Sequence, residues 1–170
     1  MGKEGHDEVD QIIAEWHEHR PELDTTPFSV FSRISRIARH MDKVRRKVFA
    51  DVDLEPWGFD VLSTLRRSGK PYSLTPGQLT QRLLISSGTM TNRIDRLEDL
   101  KLVRRTRTDA DRRAVLVVLT PEGQRRCDKA VEQLLAHERK LLVGLSADQQ
   151  ESLGNELRPL LLGFEADSTS

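Results

Sequence analysis

Residues 74–123 constrain what this 170-residue chain can become more than any other stretch. Thr75-Pro76 has the form of a helix start, a capping hydroxyl followed by a proline whose fixed φ suits the first turn. The pattern predicts a short helix over 75–84, a turn near 85–87, and a second helix from 87 to about 99 that opens on small polar side chains. Leu102-Val103-Arg104-Arg105-Thr106-Arg107 and Ala114-Val115-Leu116-Val117-Val118-Leu119 then read as two strands. The polar tip Thr108-Asp109-Ala110-Asp111-Arg112-Arg113 joins them. Helix, turn, helix and hairpin in that order are the plan of a winged helix-turn-helix. In that plan the second helix enters a major groove of double-stranded DNA while the hairpin reaches a neighbouring minor groove.

Total charge argues neither way, because 27 Lys and Arg balance 27 Asp and Glu. Distribution decides the matter. Residues 60–126 hold fourteen basic against seven acidic side chains, whereas 1–59 hold nine against twelve and 127–170 four against eight. A local basic excess sets a phosphate-binding footprint whatever the total, and acidic flanks keep the rest of the body off the duplex.

Other function classes find little support. No run approaches the roughly 18 apolar residues of a membrane span, and the first residues lack a secretion-signal core, so a cytoplasmic location without a membrane partner is expected. A single cysteine, Cys127, allows neither an internal disulfide nor a multi-thiolate zinc site. His17 and His19 lie on different faces of a helix and make a poor metal pair, so no metal or cofactor is expected. The chain shows no Gly-rich phosphate loop, no Ser/His/Asp arrangement and no carboxylate pair on rigid elements, and it is not expected to be an enzyme.

Outside the central segment the chain reads as helices. Val9, Ile12, Ile13 and Trp16 share one helical face that Pro21 closes off. Thr26 is the expected N-cap of a longer helix with Pro27 at its first position, carrying Phe28, Phe31, Ile34, Ala38, Met41, Val44 and Phe49 to about Ala50. Pro56 restarts the chain with Trp57, Val61, Leu62 and Leu65 inward. After the hairpin, Thr120-Pro121-Glu122-Gly123 opens a long helix. Ser146 caps a final one with Leu153, Leu157, Leu160, Leu161 and Phe164 on one side.

These terminal stripes need a partner, and a second copy of the chain is the simplest one. The expectation is a mostly α homodimer with a small β-hairpin wing. It assigns 1–55 to N-terminal dimerisation helices, 56–120 to the winged helix-turn-helix and 121–170 to C-terminal dimerisation helices, all within one domain.

The wing string, Asp109 to Gly123, closely resembles the wing signature of MarR-family regulators. The string from Ser86 to Glu98 is similar to their recognition helix, and the flanking helices extend the resemblance over nearly the whole chain. The resemblance implies a homodimeric, triangular, mostly helical protein that binds pseudo-palindromic DNA, often as a repressor released by a small ligand. The extra N-terminal helix bearing Trp16, with Trp57-Gly58-Phe59-Asp60-Val61-Leu62, Asn92-Arg93 and Arg104-Arg105, further resembles the urate-responsive subgroup (HucR, PecS and TamR types). That narrower resemblance implies a small anionic effector, either urate or a polycarboxylate such as citrate or aconitate. It brings Trp16, Asp60, Arg93 and Arg105 together as the ligand site. There an aromatic face would stack on a flat ligand, two guanidiniums would bind an anion, and a carboxylate would pair with one arginine when the site is empty.

For DNA, short hydroxyl and amide side chains at a helix N-terminus can approach bases and phosphates, where the backbone N–H groups also favour anions. Ser86, Ser87, Thr89, Thr91 and Asn92 fit, with Ser87 equally readable as a plain N-cap. Asn92 suits adenine, Thr91 suits a thymine methyl, and Arg96 lies one turn on. In the hairpin the family pattern puts the minor-groove arginine at Arg113, with Asp111 holding it, and leaves Arg107 and Arg112 for phosphates.

Two rival readings are a redox sensor acting through Cys127, whose ordinary reading is a buried thiol, and a winged-helix protein-interaction module, which the basic wing disfavours. His40 on the second helix could make a two-fold interface sensitive to pH near ~6.5, although solvent exposure or a capping role is the plainer reading. Replacing Arg113 by Ala should weaken operator binding and lower the slope of log affinity against log salt by about one phosphate contact. A gel-shift series across salt concentrations measures both.

Overall fold

The structure, a computed structural model, describes residues 5–107 and 115–167. Its elements run α1 (Glu8–His19), α2 (Thr26–Ala50), α3 (Pro56–Arg67), β1 (Ser73–Leu74), α4 (Pro76–Leu83), α5 (Ser87–Asp99), β2 (Val103–Arg107), β3 (Val115–Leu119), α6 (Pro121–Leu141) and α7 (Ala147–Asp167). The mostly helical winged architecture expected from the sequence is the one the chain forms. Strand β1 was not anticipated, because two residues are too few to show an alternating pattern. It pairs antiparallel with β3 at Ser73↔Val118 and Leu74↔Val117, so β3 becomes the central strand of a sheet ordered β1-β3-β2.

Residues 6–134 form one compact unit, and the chain from Leu135 onward belongs to a second. The first unit is built on Phe49, Val61, Leu62, Leu65, Leu79, Met90, Ile94, Leu97, Leu102 and Val117, none more than 1% exposed. Phe49 and Phe59 stack with ring centroids 4.2 Å apart, joining the end of α2 to α3. Truncating any one of these core leucines or isoleucines to Ala removes about 2–5 kcal/mol, so α3, α4, α5 and the sheet are held as one body.

Local chemistry explains the helix ends. Asp7 opens α1 with a capping box, its carboxylate accepting from Val9 and Asp10 while Asp10 accepts from the Asp7 N–H. At α2 the expected cap moves by one residue. Thr25, itself buried, is the N-cap without a side-chain capping bond, and the Thr26 N–H is met instead by Asp24 Oδ1 at 3.0 Å. Two adjacent threonines before Pro27 give the same sequence signal, and the neighbouring aspartate decides between them. Arg33 then ties α2 to α1, reaching Asp7 at 2.8 Å and Asp10 at 2.7 Å, while Arg36 meets Glu8 at 3.0 Å. The Arg33 guanidinium holds the Asp7 carboxyl down at about 2.

In the second unit, Ser146 caps α7 as expected. Its Oγ accepts from the Gln149 N–H at 3.2 Å, and its own N–H donates to Gln149 Oε1 at 2.8 Å. Pro159 lies inside that helix, and Leu153, Leu157, Leu160 and Leu161 are exposed along it.

The junction between wing and α6 is closely bonded. Thr120 donates through its hydroxyl to the Lys101 carbonyl at 2.8 Å and the Leu102 carbonyl at 3.0 Å, and accepts from the Gly123 N–H at 3.0 Å. Its own N–H reaches the Leu102 carbonyl at 3.0 Å. A Cβ on Gly123 would lie 2.0 Å from that same carbonyl oxygen, backbone that has nowhere to go. Gly123→Ala is therefore expected to cost about 2–3 kcal/mol and to lower Tm by roughly 5–10 °C. Thermal unfolding followed by circular dichroism checks this, with Gly154→Ala on the open side of α7 as the neutral control.

Candidate nucleic-acid interface

Helix α5 shows two faces. Met90, Ile94 and Leu97 are fully buried, and Ser86, Ser87, Thr89, Thr91, Asn92 and Arg96 are exposed. The turn before it ends α4 at Leu84, which takes the left-handed conformation (φ 51°) while remaining 90% exposed. Ser86, one residue before the position read as an alternative cap, is the N-cap. Its Oγ accepts from the Thr89 N–H at 3.3 Å and lies 2.9 Å from Thr89 Oγ1. Ser87 is thus left with an uncommitted hydroxyl. Thr91 donates its hydroxyl to the Ser87 carbonyl at 3.0 Å. What remains at the exposed N-terminal end of α5 is a helix-dipole surface carrying hydroxyl, amide and methyl groups.

The wing is anchored to this helix by Arg105. The Arg105 N–H donates to Glu98 Oε1 at 2.8 Å, and the guanidinium reaches Glu98 Oε2 and Asp95 Oδ1, each at 2.5 Å. Desolvation works against its charge, but the two carboxylates outweigh it and keep its pKa above the ordinary arginine value. Arg107 is exposed on β2. Arg112 and Arg113, with Asp111, lie outside the described residues.

The four side chains assigned to a ligand site are not bonded to one another. No hydrogen bond, ion pair or ring contact joins any two of them. Asp60 pairs with Arg45 at 3.0 Å and not with an arginine of the predicted set. Arg105 is engaged by α5, Arg93 lies over the Trp57 ring at 5.8 Å, and Trp16, 41% exposed, leans on Phe28 at 6.3 Å. The physical reason is local competition: each arginine finds a carboxylate or ring on the element beside it.

Asp60 instead borders a cleft of about 680 Å³ between α2, α3 and α6, with Arg45, Arg66, Arg67 and Asp128. Arg66 pairs with Asp128 at 2.8 Å. Among the described residues, Arg67 bonds only within its own helix, to the Ser63 carbonyl and Thr64 Oγ1. Sequence reasoning missed Arg45, Arg66 and Arg67, since one arginine late in α2 and an adjacent pair at the end of α3 leave no motif.

The comparisons with known proteins agree with this geometry. A model of the MarR family matches residues 52–114. Over 146 residues the chain is 38% identical to the HTH-type transcriptional regulator PecS of Dickeya dadantii (strain 3937), covering 86% of this chain and 88% of PecS. The chain belongs to the MarR family. It is a PecS-like transcriptional regulator and not an enzyme.

Among solved structures it is similar to a cysteine-to-serine mutant of Escherichia coli MarR complexed with operator DNA. That match has TM-score 0.66 and 24% identity, covering 86% of this chain and 97% of that one. It is also similar to Bordetella bronchiseptica BpsR, whose DNA binding is regulated by 6-hydroxynicotinic acid. There the TM-score is 0.63 at 25% identity, over 77% of this chain and 91% of that one. No described helix is long and apolar enough to cross a membrane.

The redox alternative meets a physical obstacle in this regulator. Cys127 is fully buried, and burial pushes its thiol up to about 11, with Asp128 adding to the rise. The thiolate is the reactive species. Native protein should therefore react with a disulfide reagent at pH 8 at least about 100-fold more slowly than unfolded protein, as an absorbance assay with and without denaturant measures.

Proposed function

We propose that this regulator binds a pseudo-palindromic operator as a homodimer, represses from it, and is released by a small anionic metabolite. The DNA reading rests on one observation. The polar edge of α5, Ser87, Thr89, Thr91 and Asn92, is exposed on a helix whose opposite edge is fully buried. In this reading Asn92 pairs with adenine and Thr91, its hydroxyl already used, offers its methyl to thymine. Ser86, Arg96, Arg107 and Arg112 serve the phosphates, and Arg113 enters the minor groove.

Exposed apolar side chains support the dimer. Phe28 and Ile37 on α2, and separately Leu153, Leu157 and Leu161 on α7, lie in water in the single chain. Such stripes are usually covered by a second protomer in two-fold symmetric regulators.

For the effector, the cleft beside Asp60 offers the needed chemistry. An incoming carboxylate or urate anion competes with Asp60 for Arg45 and takes the guanidinium of Arg67, which has no acidic partner among the described residues. Arg93, Arg105 and Trp16 belong to this reading as more distant contributors, reached if the ligand-bound state rearranges α5 and α1. BpsR, whose DNA binding is regulated by 6-hydroxynicotinic acid, supports a small aromatic acid as the kind of effector such a site takes.

Titrating urate and citrate separately into a protein–operator gel shift tests the proposal. Release by one of them at millimolar concentration or below is expected, weakened about ten-fold or more by Arg67→Ala. Retention of the complex with both ligands rules out the effector half. Failure to shift any promoter fragment in dilute buffer rules out the DNA half.

A further inference from the structure

On a helix with 3.6 residues per turn, Met90, Ile94 and Leu97 fall within about 60° of arc and form a single buried ridge along α5. A ridge of apolar side chains fixes how far the helix stands from the core and resists sliding. It does little against rolling about the helix axis, because apolar contact is not directional. The flanks of the ridge carry the directional contacts. On one flank, Asp95 and Glu98 grip Arg105 of β2. On the other flank, about 60° and 120° from Met90, lie Arg93 and Arg96. Their guanidiniums lie 5.8 Å and 4.9 Å from the centroid of one ring, Trp57, in the first turn of α3. Neither arginine has an acidic partner among the described residues.

We propose that the Trp57 ring is a positioning residue for operator recognition. By cation–π contact with Arg93 and Arg96 it sets the roll of α5, opposing the Arg105 brace on the far flank. Trp57 half-emerges from the core at the start of α3, where Pro56 fixes the backbone, so the ring is carried by a rigid element. A roll of about 10° moves a side-chain tip on a helix of this radius by roughly 1 Å. That is enough to spoil hydrogen bonds from Asn92 or Ser87 to a base edge. The ring touches no phosphate in this scheme; it acts through the arginines.

This inference rests on α5 being the DNA-reading helix, and the test separates the two. Wild-type protein, Trp57→Phe, Trp57→Leu, Arg96→Met and the Leu/Met double variant are titrated on operator and on unrelated duplex across salt concentrations. Far-ultraviolet circular dichroism monitors the fold. Trp57→Leu is expected to lower operator affinity about ten-fold, the factor two half-exposed cation–π contacts are worth. Its salt slope should stay that of wild type, because Arg96 keeps its charge and its reach to the phosphates. Trp57→Phe, which keeps a π face, recovers most of that loss.

Trp57→Leu and Arg96→Met should be non-additive, since each breaks the same contact. Strict additivity, or Phe as poor as Leu, or operator affinity within two-fold of wild type in Trp57→Leu, overturns the proposal. If Trp57→Leu does not fold, site-specific fluorinated tryptophans at position 57 replace it. Affinity falling stepwise with fluorination, as the ring loses its negative face at nearly constant shape, supports the brace, and a flat series overturns it. Wild-type protein that ignores the operator would instead sink the DNA reading itself.

Discussion

Three side chains at one edge of α5, Met90, Ile94 and Leu97, reach the core shared by α3, α4 and the sheet, and each is essentially removed from solvent. The energy behind this is ordinary, about 1.5–3 kcal/mol per fully buried side chain, but its geometric effect is large. Burying one edge of a helix forces the opposite edge outward, and here that edge carries serine, threonine and asparagine. The polar row is therefore presented by the same packing that stabilises the unit. No separate device is needed to expose it.

Directional contacts then refine what apolar packing leaves free. Arg105 joins the wing to Asp95 and Glu98, Trp57 underlies Arg93 and Arg96, and Thr120 with Gly123 pins the base of the hairpin to α6 through the Leu102 carbonyl. The first two contacts are half-exposed and individually modest. Because they act on opposite flanks of one helix, they constrain rotation in both senses. Strand β3 completes the arrangement as the central strand, paired on both edges.

The cleft between α2, α3 and α6 shows the same economy of charge. Arg45 and Arg66 are each matched by a carboxylate, Asp60 and Asp128, and Arg67 is held by polar groups of its own helix. Paired cations near an anion-sized opening lose little when an incoming anion replaces a side-chain carboxylate, since one charge-assisted bond is exchanged for another. Under the proposed function, such a site would respond to an anion without a large rearrangement of charge. In the proposed function, a PecS-like regulator carrying this cleft has its ligand chemistry in the same packed unit as the helix proposed to read DNA.

Helix positions, the hairpin and the polar opening of α5 were legible in the chain because each depends on near neighbours: periodicity, a cap, a proline, a run of β-branched residues. The wing joint was legible too, as Thr120-Pro121-Glu122-Gly123, although the carbonyl that forbids a Cβ at Gly123 was not. Strand β1 escaped because pairing, not pattern, makes two residues a strand. The partners that the proposed ligand residues take in the folded chain were not legible, for a deeper reason. Arg93, Arg105, Asp60 and Trp16 each have partners tens of residues away or on adjacent elements, and which partner wins depends on distances that only folding creates. Local interactions are written along the chain one residue after another, whereas the pairing of long charged side chains is settled in space, among whichever groups the packed core has brought within reach.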